Sequence, residues 1–169
     1  GIARALLVRG RDAPPLAAPL LDIAAWRALS VRSGVPVIEA ATVDRFVPQM
    51  LNYELIGGVD FRKGCYPGQE VVARSQYRGT IKRRMFLFDS DAAAAPGQEV
   101  FVASDPAQPA GMVVNAAPRP SGTGTSALVE LKLAAREATS VHLGSPQGPA
   151  LRPAELPYAV PHEVAEASG

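Results

Sequence analysis

An α+β chain is what the residues predict, with helical signals in the first half and short strands in the second. Two observations carry this. From Ile81 onward, five apolar or alternating runs are separated by Pro, Gly, Asp and Ser: Met85–Phe88, Glu99–Val102, Gly111–Val114, Ala127–Leu131 and Ser140–Leu143. That spacing belongs to an antiparallel barrel or sandwich. Before Ile81 the punctuation is that of helices: Asp22 ahead of an apolar-periodic stretch, Pro67 ahead of another, and Gly34 and Gly79 after them.

In chain order, Ile2–Val8 reads as an opening strand, and Arg9-Gly10-Arg11-Asp12 ends it with turn chemistry. Ala13–Pro19 is a proline-rich loop. Asp22 is a good N-cap for a helix over Ile23–Arg32, because its carboxylate can accept an orphan N–H of the first turn. Ile23, Trp26 and Leu29 share one face of that helix, and Gly34 is placed to end it. Val35–Ile38 reads as an edge strand, since Pro36 is tolerated at an edge and not inside a sheet. Thr42 can cap a helical turn reaching Phe46, which Pro48 interrupts. Gln49–Ile56 reads as another short helix closed by Gly57-Gly58, and a longer one runs from about Pro67 to Tyr77. In the second half, Ala134–Ala138 can make one helical turn, Leu151-Arg152 closes the sheet, and Tyr158 onward is a frayed tail.

Composition narrows the function classes. The chain has 169 residues, 47% hydrophobic and 20% charged, with a formal net charge of +1. It can bury a core, and no bulk charge drives it toward nucleic acid or a membrane surface. A single cysteine permits no intrachain disulfide, which fits a reducing, cytoplasmic setting. No run reaches the about 18 apolar residues that a membrane span needs. The two histidines, His142 and His162, and the one cysteine have no zinc spacing, so no resident metal is expected. The first residue is Gly1, and a strand read from Ile2 begins in mid-structure, so the chain reads as a fragment of a longer protein.

The densest stretch is Lys63-Gly64-Cys65-Tyr66-Pro67-Gly68-Gln69-Glu70. Pro67 suits a first helical position, with Gln69 and Glu70 in the first turn. Cys65 then sits just outside a helix N-terminus with Lys63 two residues away, and both features favour the thiolate form. The plainer reading is a small packed apolar residue, as most free cysteines are. Farther along, Glu70 and Arg74 stand four apart in the favourable order, and Arg74, Arg78, Lys82, Arg83 and Arg84 make a local basic patch. Such a patch is either a solvated face or an anion site for a ligand tail, RNA or a protein partner.

The run Phe61-Arg62-Lys63-Gly64-Cys65-Tyr66-Pro67-Gly68-Gln69-Glu70-Val71-Val72-Ala73-Arg74, with Tyr77-Arg78-Gly79 and Lys82-Arg83 after it, resembles the signature of the YgfZ family. Those proteins are folate-binding relatives of the glycine cleavage T-protein, an aminomethyltransferase. The likeness extends upstream through Trp26, Gly34-Val35-Pro36, Phe46–Gln49, Asn52 and Gly57–Val59, and weakens after Met85. It implies the C-terminal part of an aminomethyltransferase-like folate-binding domain (1–79), a small antiparallel β-barrel (80–157) and a flexible tail (158–169). Tetrahydrofolate or another folate is the implied cofactor. Trp26 would stack its ring, and Gln49, Tyr66 and Arg74 would contact it. Cys65 would be the reactive group, supported by Lys63. Three functions follow from the resemblance and the residues. One is support of iron-sulfur cluster assembly or repair in client enzymes, including those that methylthiolate tRNA, with tRNA as a further candidate partner. The second is aminomethyl transfer, and the third is a binding module for RNA or protein in which Cys65 merely packs.

Overall fold

A computed structural model describes residues 7–65, 67–77, 81–119, 122–138 and 140–161. The runs singled out in the second half become strands: β1 (Arg83–Ser90), β2 (Glu99–Val102), β3 (Gly111–Pro118), β4 (Thr125–Lys132), β5 (Val141–Leu143) and β6 (Ala150–Ala154). They close into a barrel in the order β1-β4-β3-β2-β5-β6, with every pairing antiparallel. The sequence left barrel and sandwich open, and the β1–β6 pairing, Leu87 opposite Ala154 through Asp89 opposite Arg152, decides for the barrel. Closure leaves each described strand with a neighbour on both sides, which shortens the free edge that could template aggregation.

Two cores follow from strand alternation. Phe86 and Phe88 of β1 join Val100, Val113, Val129, Leu131, Val141, Leu143 and Leu151, so one cluster draws on all six strands and fills the barrel. Met85 and Leu87 point the other way and join Leu128, Val114 and Ala117 with Ala28, Val31 and Leu51 from outside the barrel. Helix α1 (Ile23–Arg32) supplies Ala28 and Val31, and a 3-10 turn, Pro48–Leu51, supplies Leu51. β4 is therefore buried on both faces along Thr125–Leu131, which explains why Ala127–Leu131 reads as a nearly continuous apolar run.

Helix α1 has the expected bounds. The Asp22 carboxylate accepts from the Ala25 amide at 2.7 Å. Gly34, at φ +66°, follows the last turn, and a Cβ there would come within 2.7 Å of Leu156 and Tyr158. The sequence places Tyr158 in the tail, yet its hydroxyl donates to the Gly34 carbonyl at 2.7 Å. Burial raises the Tyr158 pKa above the ordinary phenol value.

Several local expectations need correction. Val35–Ile38 is extended but is not a strand. Its ladder is replaced by one side chain: the Val37 amide donates to Asn115 Oδ1, and Asn115 Nδ2 donates back to the Val37 carbonyl, both at 2.8 Å. A bulge between Val113 and Asn115 interrupts the ladder where β3 makes this contact. Thr42 does not cap a turn running to Phe46. It closes the 3-10 turn Ala40–Thr42, exchanging hydrogen bonds with Glu39. Gln49–Ile56 is not a helix beyond Leu51, because Asn52 takes the left-handed conformation at φ +61° and ends it. The second helix, α2 (Gln69–Tyr77), starts two residues later than Pro67. Gly68 has φ +81°, which a right-handed helix excludes, so Pro67 belongs to the preceding turn. Of the opening strand, residues 1–6 lie outside the described residues, while Leu7 and Val8 are exposed and not in a strand.

Candidate functional site

The residues singled out by the sequence fall in two places. The first is the loop that leaves the 3-10 turn at Asn52 and returns as α2. Cys65 is exposed in it, ahead of the Pro67-Gly68 turn. The later helix start sets the thiol back from the helix end, and the dipole's influence fades within about one turn. Lys63 lies exposed in the same bend, and Tyr66 is outside the described residues. Arg74 pairs with Glu70 at 2.9 Å on the exposed face of α2, the four-residue spacing read from the sequence. Val72 turns inward and is buried.

Below this loop lies a buried polar node. Gln49 is 1% exposed, and its Nε2 donates to the Val72 carbonyl at 2.7 Å. Its Oε1 has no partner. Asn52 is fully buried, and its amide donates to the Met85 carbonyl at 2.7 Å while accepting from the Met85 amide at 3.5 Å. β6 pairs with β1 only from Leu87 to Asp89, so Asn52 supplies Met85 with the partner that the sheet does not. Arg84 donates to the Gln49 carbonyl at 2.9 Å and forms a buried ion pair with Glu54. Sequence reasoning treated Arg84 as part of a basic patch. In the fold its charge is internal, and Arg83 is likewise paired with Glu130. The signal that could have found this is Glu54 and Glu130, acids in apolar surroundings that need a cation.

The second place is the outer face of α1. Trp26 is 48% exposed. It lines a groove of about 330 Å³ with Ile23, Val35, Glu39, Pro96 and Asn115 among the walls. That volume lies at the lower limit for ligand pockets. It suits a flat ring system better than an entire folate. Of the three expected folate contacts among the described residues, Trp26 alone is in this groove's lining, while the Gln49 amide and the Arg74 guanidinium are committed elsewhere. The structure brings Trp26 together with Glu39 and Asn115, while Lys63, Cys65 and Arg74 are not in the groove's lining. Among the described residues, no group of three or more His, Cys, Asp or Glu is arranged to hold a metal ion. No helix among them is long and apolar enough to cross a membrane.

No family model matches the chain. Among curated proteins, "tRNA-modifying protein YgfZ" of Edwardsiella ictaluri (strain 93-146) is 46% identical over 79 residues. Over those residues the chain is similar to that YgfZ protein. The resemblance read from the Lys63–Glu70 stretch is thereby borne out. The match takes in 47% of this chain and 24% of the YgfZ protein's length, so most of that relative has no counterpart in the aligned region.

Proposed function

We propose that this chain is part of a folate-binding, YgfZ-type cytoplasmic protein that serves tRNA modification. In this reading, its reactive Cys65 supports the assembly or repair of iron-sulfur clusters in client enzymes, including those that methylthiolate tRNA. One observation carries the reading: the only cysteine of the chain stands exposed in the Lys63–Glu70 motif, in a relative of a protein named for tRNA modification. A thiol kept for packing would be buried, as free cysteines usually are. Exposure leaves the sulfur able to reach a partner protein and to act as a transient ligand for iron, with Lys63 two residues away.

Folate enters through Trp26. Its half-exposed indole and the apolar walls around it fit one flat ring, which would stack with little rotamer entropy lost. Tyr66 is the further residue expected at the ligand, and an aminomethyltransferase-like domain would complete the pocket. Bound folate would supply one-carbon chemistry; the residues of this chain bind and orient its ring.

Two measurements test the proposal. In cells lacking the native protein, Cys65→Ser should fail to restore methylthiolated tRNA and iron-sulfur enzyme activity; full restoration removes Cys65 from the mechanism. Tetrahydrofolate should quench the fluorescence of Trp26, the only tryptophan, in a saturable way. An unchanged emission would reject stacking on Trp26.

A further inference from the structure

We infer that Gln49 and Asn52 form a two-amide clamp that positions the Cys65 loop against the barrel, and that Gln49 is a positioning residue for the thiol. The inference rests on the reading of Cys65 as the working group. Tyr53 packs against the outer core and Glu54 pairs with Arg84, and past them no described residue up to Glu70 belongs to either core cluster, so the middle of this loop has no core of its own to fix its place. Its two ends are fixed instead. Asn52, where the loop leaves, is bound to the Met85 backbone of β1. Val72, where the chain is buried again, accepts from Gln49 Nε2. Gln49 and Asn52 belong to the same 3-10 turn and its cap, and Arg84 of β1 holds that turn through the Gln49 carbonyl and Glu54. One short turn therefore holds both ends of the loop to one strand.

Burial makes the clamp directional. A buried amide left without its partner costs more than the bond it made, so the Gln49 to Val72 link persists only while α2 stays seated. The same link, made by a side chain, is the first that a single substitution can release without touching the barrel cores. The unpartnered Gln49 Oε1 shows that the amide is not held there by its acceptor. The donor to Val72 is what the position uses.

The test uses the complete chain with Gln49→Met, which keeps the volume and removes the donor, and Gln49→Glu, which keeps the shape and replaces the donor with an acceptor. Amide hydrogen exchange in Gln69–Tyr77 should speed up by about tenfold, the change expected for one lost buried hydrogen bond, with β3 and β4 unchanged. The electron paramagnetic resonance line of a nitroxide label on Cys65 should narrow toward that of the same label on an unstructured peptide covering residues 60–70. An Arg152→Ala control, which releases Asp91 instead, should leave the line shape in place. Unchanged exchange in α2, a uniform rise that includes β4, or an unchanged label line shape would each overturn the clamp. If Cys65→Ser restores tRNA methylthiolation while the Gln49 variants still loosen α2, the functional reading fails and the clamp stands as architecture alone.

Discussion

The barrel and the Cys65 loop are stabilised by different means. Every barrel strand contributes to a shared interior, and β1, β3 and β4 carry a second apolar layer beneath α1 and the Pro48–Leu51 turn. In the loop from Tyr53 to Glu70, Tyr53 is the one described residue packed against a core cluster, and hydrogen bonds with the Glu54–Arg84 pair hold the loop near its ends. Hydrophobic burial is non-directional and spread over many residues, whereas a hydrogen-bonded clamp is specific and can be released at one atom. The contrast teaches which segment can open locally: one whose opening does not require the core to open.

The largest difference should appear under proteolysis. Arg62 has a side chain 95% exposed, and trypsin should cut after Arg62 or Lys63 well before it cuts at Arg83 or Arg84, as read by mass spectrometry of early fragments. Early cleavage inside β1 would erase the contrast. Next in size is the core itself: Leu128→Ala, at a fully buried site facing α1 and the 3-10 turn, should lower global stability by about 2–5 kcal/mol in denaturant unfolding.

Tyr158→Phe removes the bond to Gly34 and should cost about 1 kcal/mol. Burial raises the folded pKa of Tyr158, so its contribution is complete below the ordinary tyrosine value of about 10 and is lost as pH rises through the higher folded value. Thermal unfolding followed upward from pH 9 should therefore fall more steeply for the native chain than for Tyr158→Phe.

The smallest effect is at the surface. Asp91 accepts from Arg152 at 2.6 and 2.7 Å, and this bond, aided by Arg119, holds its carboxyl below the ordinary range. A depressed folded pKa gives stability that is present above the unfolded carboxyl value and lost as pH falls through the folded one. Arg152→Ala should flatten the acid limb of the stability curve slightly while leaving α2 exchange unchanged.

Much of the fold was legible because its signals are local. Asp22 and Gly34 bound α1 in the sequence as in the structure, and the five strand runs stand where the turn residues separate them. The errors lie where a side chain from far along the chain took over a backbone's hydrogen bonds. Asn115 replaced a strand partner for Val37, 78 residues away. Arg84, read as part of a basic patch, proved to be the internal partner of Glu54. Tyr158, read as tail, is held under Gly34 by a packing contact no window of sequence contains.

The sequence alone determined the likeness to a YgfZ protein, the helix bounded by Asp22 and Gly34, the set of strands and the single thiol, because each depends on neighbouring residues or on a contiguous motif. Tertiary structure alone decided that the strands close into a barrel, that Gln49 faces Val72 instead of solvent, and that Trp26 and Cys65 belong to different neighbourhoods. Those outcomes depend on which buried polar group finds a partner across the fold, and that choice is made by burial in three dimensions, where an unpaired group is costly.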